Sequence, residues 1–317
     1  MITRQTVFVL GAGCSMPYDF PSSEELVKEI AGLVLGKPTP DVFNDADLKN
    51  EDVQRFGRDL LESDASSIDT FLQYRPEFLK IGKLAIAMRL SGRELDGKLN
   101  FPFRGGSQSS PGLSPWYHYL WDQMVTEKGR FGDNRVAFVT FNYDRSLERY
   151  LFLRLKALHG YRIADEVFDD LYKIQFIHIH GSLGDERFAE FPYDRGKHSN
   201  GELIKISSRL RIIHEDPAGN PHFAAANDLL QNAERICFLG YGFHDVNNNG
   251  LKLRTLAADD KRRDQQWFTS RFHMTEVEFR RRANGLLDRF LSRGYLKGRV
   301  GEESDSALDV LRKLPVI

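Results

Sequence analysis

Four short apolar runs, each stopped by glycine or by a small polar turn, constrain this chain more than any other feature. Thr6-Val-Phe-Val-Leu10 ends in Gly11-Ala-Gly13, Val136-Ala-Phe-Val-Thr-Phe141 in Asn142-Tyr-Asp144, and Ile236-Cys-Phe-Leu239 in Gly240-Tyr-Gly242. A fourth, Ile174-Gln-Phe-Ile-His-Ile-His180, ends in Gly181. A strand with one wet face alternates apolar and polar residues. Runs without that alternation are expected to be covered on both faces, as in a parallel sheet.

Helical patterns lie between the runs. Ser22-Ser-Glu-Glu25 has the spacing of a capping box and opens a helix over 24–35. Leu147, Tyr150, Leu151, Leu155 and Leu158 form an apolar stripe that predicts a helix over 146–158, and another is expected over 223–233. Strand, turn and helix repeated in this order predict an α/β fold with a Rossmann-like, open, doubly wound parallel sheet. Residues 37–130 break the rhythm. Segments 47–61, 66–90 and 115–127 read as helices, and the Gly/Ser/Pro-rich stretch 103–112 between them as a loop or mobile lid. The expected organisation is a core of 1–36 and 131–258, a helical insertion of 37–130, and a mainly helical C-terminal region of 259–317.

Composition narrows the class. A length of 317 residues accommodates two domains, or one with a large insertion. Lys+Arg at 44 against Asp+Glu at 45 leaves no global electrostatic argument for nucleic acid or membrane. Between 251 and 299 the local count is 13 basic against 6 acidic residues. That excess favours a solvated helix face such as 280–282, with a surface for nucleic acid or an acidic partner as the alternative. Two cysteines, Cys14 and Cys237, exclude a disulfide scaffold and a four-cysteine zinc site, and fit a reducing cytoplasm. The residues before the first run are too few for a signal or spanning segment, so a soluble, cytoplasmic chain with no membrane contact is expected.

Each turn carries candidate chemistry beside a plain structural alternative. Glycines at 11 and 13 let backbone approach a pyrophosphate and offer N–H groups to it, or simply make a tight strand–helix turn. Position 16 is Met, so the third glycine of a hydride-transfer fingerprint is missing, and no acidic residue ends a second strand about twenty residues on. Asn142 and Asp144 stand at the ligand edge of such a sheet, where they can also cap the following helix. His178 and His180, two apart on one strand, are expected on one face. No third metal ligand is near them; His178 suits a packed core, and His180 suits a cleft-facing general base. His244 reads as a surface residue.

Taken in order, the turns resemble a sirtuin-like domain of the divergent bacterial type found in anti-phage defence systems. The family's GAG-x-S is matched by Gly11-Ala12-Gly13-Cys14-Ser15, its T-Q-N-x-D by Thr140-Phe141-Asn142-Tyr143-Asp144, and its H-G by His180-Gly181. Its late glycine turn resembles Gly240-Tyr241-Gly242-Phe243. The similarity covers about 7–45 and 134–258. Phe141 stands where deacylating sirtuins carry Gln, and Tyr18-Asp19-Phe20-Pro21 replaces a proline-aspartate-phenylalanine-arginine run. The four-cysteine zinc module that helps to frame an acyl-lysine cleft is absent.

The resemblance implies an NAD hydrolase that uses NAD as its substrate, needs no metal, and releases nicotinamide and ADP-ribose. It assigns catalysis to Asn142 and His180, and NAD binding to Gly11, Ala12, Gly13, Ser15, Asp144, Gly240 and Gly242. It further implies a regulated toxic effector of anti-phage defence, acting as a homo-oligomer with a partner ATPase or nuclease. The competing readings are an NAD-dependent protein deacylase or ADP-ribosyltransferase, and a non-catalytic NAD or ADP-ribose sensor subunit.

Overall fold

The computed structural model describes residues 1–99, 115–185, 187–189, 192–194, 196–212, 220–262, 264–272, 274–286, 298–300 and 305–313. The expected loop or lid at 103–112 lies outside them. The apolar runs form β1 (Thr6–Leu10), β2 (Val136–Thr140), β3 (Gln175–His178) and β4 (Arg235–Leu239), and the sheet continues through β5 (Gln266–Thr269) and β6 (Gly298–Val300). All six pair in parallel, in the order β3-β2-β1-β4-β5-β6. The α/β, Rossmann-like open sheet is therefore as expected.

Every residue of β1, β2 and β4 is buried. Alternate side chains enter two different cores. Phe8, Leu10, Phe138, Cys237 and Leu239 face one, while Val7, Val9, Ala137, Val139, Ile236 and Phe238 face the other. Both faces being dry, period-two alternation survives as direction but not as polarity. Leu10 stands opposite both Thr140 and Leu239, so the turns leaving β1, β2 and β4 start level at one sheet edge.

The first core is covered by helices Ser23–Leu35, Asn50–Glu62, Ile68–Tyr74, Leu79–Ser91, Tyr117–Met124 and Ser146–His159. Helices Pro221–Asn232, Leu253–Ala258 and Glu276–Arg282 cover the second. The capping box is present: Ser22 Oγ accepts from the Glu25 N–H at 3.2 Å, and Glu25 Oε2 accepts from the Ser22 N–H at 2.8 Å. The single helix expected over 66–90 is instead two, broken at Arg75-Pro76. Proline lacks the N–H an α-turn needs and drives the preceding residue out of helical geometry, here to φ −130°. Beyond 258, where a mainly helical stretch is expected, helices are joined by β5 and β6. No helix among the described residues is long and apolar enough to cross a membrane.

Buried polar contacts fasten the helical segment to the sheet edge. Tyr18 Oη accepts from the N–H groups of Trp116 and Tyr117 at 2.8 and 2.7 Å, and Trp116 Nε1 donates to the Cys14 carbonyl at 2.8 Å. Glu94 and Arg145 form an ion pair whose side chains are 1% and 3% exposed.

Candidate functional site

The chain leaves β1 towards β2 and β3 on one side and returns to β4 on the other. In an open parallel sheet that reversal opens a crevice at the carboxyl ends of the two neighbouring strands. Both glycine turns stand there and interlock. Gly11 N–H donates to the Leu239 carbonyl at 3.0 Å, and Gly13 N–H to the Gly240 carbonyl at 3.3 Å. Gly240 has φ +59°, and a Cβ on it would stand 2.2 Å from the Cys14 nitrogen; a Cβ on Gly11 would stand 2.4 Å from the Gly240 oxygen. Glycine is needed at these positions for one turn to approach the other, whatever the crevice holds.

The β2 turn closes over the first. Asn142 is 9% exposed, and its Nδ2 donates to the Gly11 carbonyl at 3.1 Å and to Ser15 Oγ at 2.9 Å. With both amide hydrogens directed into the glycine turn, Oδ1 is the group Asn142 offers outward, and it is an acceptor only. Cys14 is buried beneath; burial first, then the Asp144 carboxylate, push its thiol pKa up, so it stays protonated and supplies no thiolate.

Asp144 stands one residue before the N-cap, Arg145, and bonds to the first residue of the helix. Its Oδ1 accepts from the Ser146 N–H at 3.1 Å and from the Ser146 hydroxyl at the start of helix Ser146–His159. Burial raises its pKa, with hydrogen bonds from Ser146 and Ser15 acting the other way.

Strand β3 ends at His178, but its pairing runs one residue further, with the Ile179 N–H donating to the Thr140 carbonyl at 2.9 Å, and Ile177 and Ile179 enter the same core. The His178 ring is held between the Asn142 carbonyl, 3.0 Å from Nδ1, and Glu148 Oε1, 2.6 Å from Nε2. Burial alone would lower its pKa, but the Glu148 carboxylate and these hydrogen bonds outweigh burial and raise it. His178 is a satisfied, inward-facing side chain. His180 is 4% exposed, its ring set edge-on to Phe141 at 5.4 Å between centroids and near Tyr143 at 6.3 Å.

Gly11, Ala12, Gly13, Asn142, His180, Gly240 and Gly242 all line one cleft of about 360 Å³. Ser15 and Asp144 line an adjoining pocket of about 80 Å³, with Ala12 and Asn142 shared between the two. On the other side Gly13, Gly240 and Gly242 continue into a cleft of about 410 Å³ reaching Ser270, Arg271 and Arg282. His244, exposed as a residue, lines both of the two larger spaces; the protein packed around part of its ring, then Arg282, lower its pKa.

Several lining residues escape the sequence reading. Ser67 and Asp69 reach the crevice from the helical segment, and Ser270 and Arg271 from the end of β5. Neither group lies in a glycine-punctuated motif, and their approach is set by helix packing and strand order. Among the described residues no group of three His, Cys, Asp or Glu could hold a metal ion.

Residues 136–287 match the family model of the SIR2-like domain, a little under half of the chain. The match takes in β2 to β5, with the Asn142, His180 and Gly240 turns, and stops short of the Gly11 turn. It supports a sirtuin-like family for this chain and an NAD-related function, since SIR2-like domains bind NAD. No curated protein matches the chain.

Proposed function

We propose that the chain is an NAD glycohydrolase, cleaving NAD to nicotinamide and ADP-ribose. The observation that carries the reading is the convergence of Asn142, His180 and both glycine turns on one cleft at the β1/β4 crevice. The pyrophosphate would lie over the turns at 11–13 and 240–242, its adenosine end towards Ser270, Arg271 and Arg282. Its nicotinamide end would enter the smaller pocket, whose walls include Phe20, Ile68, Leu90 and Phe141.

In the reaction the bond from ribose C1′ to the nicotinamide nitrogen breaks, and its electron pair leaves with nicotinamide. Water forms the new C1′–O bond and gives up a proton. Asn142 Oδ1 would orient that water by accepting one of its hydrogens, and His180 would take the other. The Asn142 amide is already fixed to Gly11 and Ser15, so its orientation costs little at the moment of reaction.

Phe141, packed against His180, Phe223 and Tyr241, favours hydrolysis over acyl transfer. It fills with hydrocarbon the place where deacylating relatives carry an amide. The role in anti-phage defence, as a regulated homo-oligomeric effector with a partner ATPase or nuclease, rests on the motif resemblance.

The test is NAD consumption by the full chain against Asn142→Ala and His180→Ala. Each substitution is expected to lower turnover by roughly 10² to 10³-fold. Full activity in both variants would sink the assignment. O-acyl-ADP-ribose formed from acylated peptides would establish deacylation instead.

A further inference from the structure

We infer that Asp69, carried by the helix Ile68–Tyr74, is the carboxylate that faces the nicotinamide–ribose end of the substrate and is a further catalytic residue. The inference rests on the NAD-hydrolase reading and adds a residue that none of the four strand-end turns supplies.

Losing nicotinamide leaves positive charge on the ribose ring, and a nearby anion stabilises that charge in a partly dehydrated cleft. Of the NAD-binding residues that the resemblance assigns, the one carboxylate is Asp144. Its carboxyl is buried, bonded to the Ser146 N–H and hydroxyl, and pushed towards the neutral form. It serves the helix start.

Among the described residues two carboxylates line the central cleft, Asp69 and Asp245. Asp245 pairs with Arg254 at 2.9 Å, and its side chain is 73% exposed, which places it at the mouth in water. Asp69 alone of the two also lines the small pocket beside Asn142 and Asp144, so it stands where the two spaces meet. Ser67 Oγ, which caps this helix by accepting from the Thr70 N–H at 3.1 Å, lines both spaces as well. The Tyr143 hydroxyl lies 3.2 Å from Asp69 Oδ1, which ties the carboxylate to the loop bearing Asn142. When the C1′–N bond breaks and its electron pair departs with nicotinamide, the Asp69 carboxylate faces the cation left behind. Asp69 itself neither gains nor loses a proton; the water that closes the reaction gives its proton to His180.

The test compares the full chain with Asp69→Asn and Asp69→Glu, measuring NAD turnover and the Kd values of NAD⁺ and ADP-ribose. The ring lost in forming ADP-ribose is the one that carries the positive charge, so the carboxylate should contribute to NAD⁺ binding only. Asp69→Asn is expected to cut turnover roughly 10²-fold. It should weaken NAD⁺ about fivefold and leave ADP-ribose unchanged. Asp69→Glu, which keeps the charge, should recover part of both losses. Unchanged ADP-ribose binding also shows that the variant is folded. Wild-type turnover and NAD⁺ affinity in Asp69→Asn would overturn the inference and leave the hydrolase reading standing. NAD⁺ and ADP-ribose weakened together would also overturn it, since Asp69 would then act only by holding the Tyr143 loop. A wild-type chain that binds neither ligand would remove the hydrolase reading itself, and the inference with it.

Discussion

Gly240 and Gly32 are the same residue in opposite circumstances. Gly32 lies within the helix Ser23–Leu35, and a Cβ there would meet nothing within 4 Å. Gly32→Ala is expected to stabilise by about 0.8 kcal/mol, the helix-propensity gain of alanine over glycine. Gly240→Ala meets a left-handed φ and, at 2.2 Å, a backbone nitrogen on the neighbouring turn. Neither can yield without separating the interlocked turns, so a loss of roughly 3 kcal/mol is expected. Denaturant unfolding of the two variants checks both signs, and a neutral Gly240→Ala would mean the turns are less tightly joined than the geometry requires. The glycines at 11, 13 and 240 were legible as punctuation after apolar runs. Their pairing was not, because neither turn records in sequence which other turn it will touch.

At the scale of elements, His178 and Glu148 join β3 to the helix Ser146–His159 behind the Asn142 loop. The folded pKa of His178 is raised, so the native state holds its proton more tightly than the unfolded chain does. The stabilisation is therefore fully present below the unfolded value of about 6.5 and is lost as pH rises through the folded value. Glu148→Gln removes the charge partner and should cost roughly 3 kcal/mol at the acid end of this window. The gap from wild type should narrow as the solution is made alkaline. Melting temperatures of the two proteins from about pH 5.5 upward measure this, and a gap that widens with pH contradicts the pairing. The helix itself was legible from its leucine stripe. That Glu148 would lie against His178 was not, since it depends on the helix crossing back over β2 and β3. β5 escaped for a related reason: Gln266–Thr269 is a four-residue run beginning with a polar residue, too short to assert a period. Asp69 shows the same limit at the site, where its helix was foreseeable and its approach to the Asn142 loop was not.

For the molecule as a whole, the question is whether the helical segment between β1 and β2 folds with the sheet or beside it. Its phenylalanines 56, 71 and 78 pack on one another, yet they belong to the same core as Phe8 and Phe138 of the sheet. The most demanding link is Glu94 with Arg145. Glu94 Oε1 accepts from the Arg145 backbone N–H at 3.0 Å and from its Nε at 3.1 Å, while Oε2 accepts from Nη2. One carboxylate thus neutralises a buried guanidinium and satisfies an N–H at a helix N-terminus, where negative charge is favoured. The Arg145 guanidinium also lies over the Phe188 ring at 4.9 Å, so it is enclosed on several sides. Glu94→Gln keeps the shape but leaves that cation buried without its counter-charge, and should cost about 3 to 5 kcal/mol. Arg145→Leu should cost a similar amount by stranding the carboxylate. The double variant strands neither charge, so its loss should fall well short of the two single losses combined. Denaturant unfolding of all four proteins, followed by tryptophan fluorescence, supplies the cycle. Trp116 and Trp121 report from the helical side and Trp267 from β5. If the segment and the sheet form one cooperative unit, each variant unfolds in a single transition at a shifted midpoint. Strictly additive losses, or a Glu94→Gln variant in which the helical segment melts first while the sheet stays folded, would instead make the ion pair a contact between two independently stable parts.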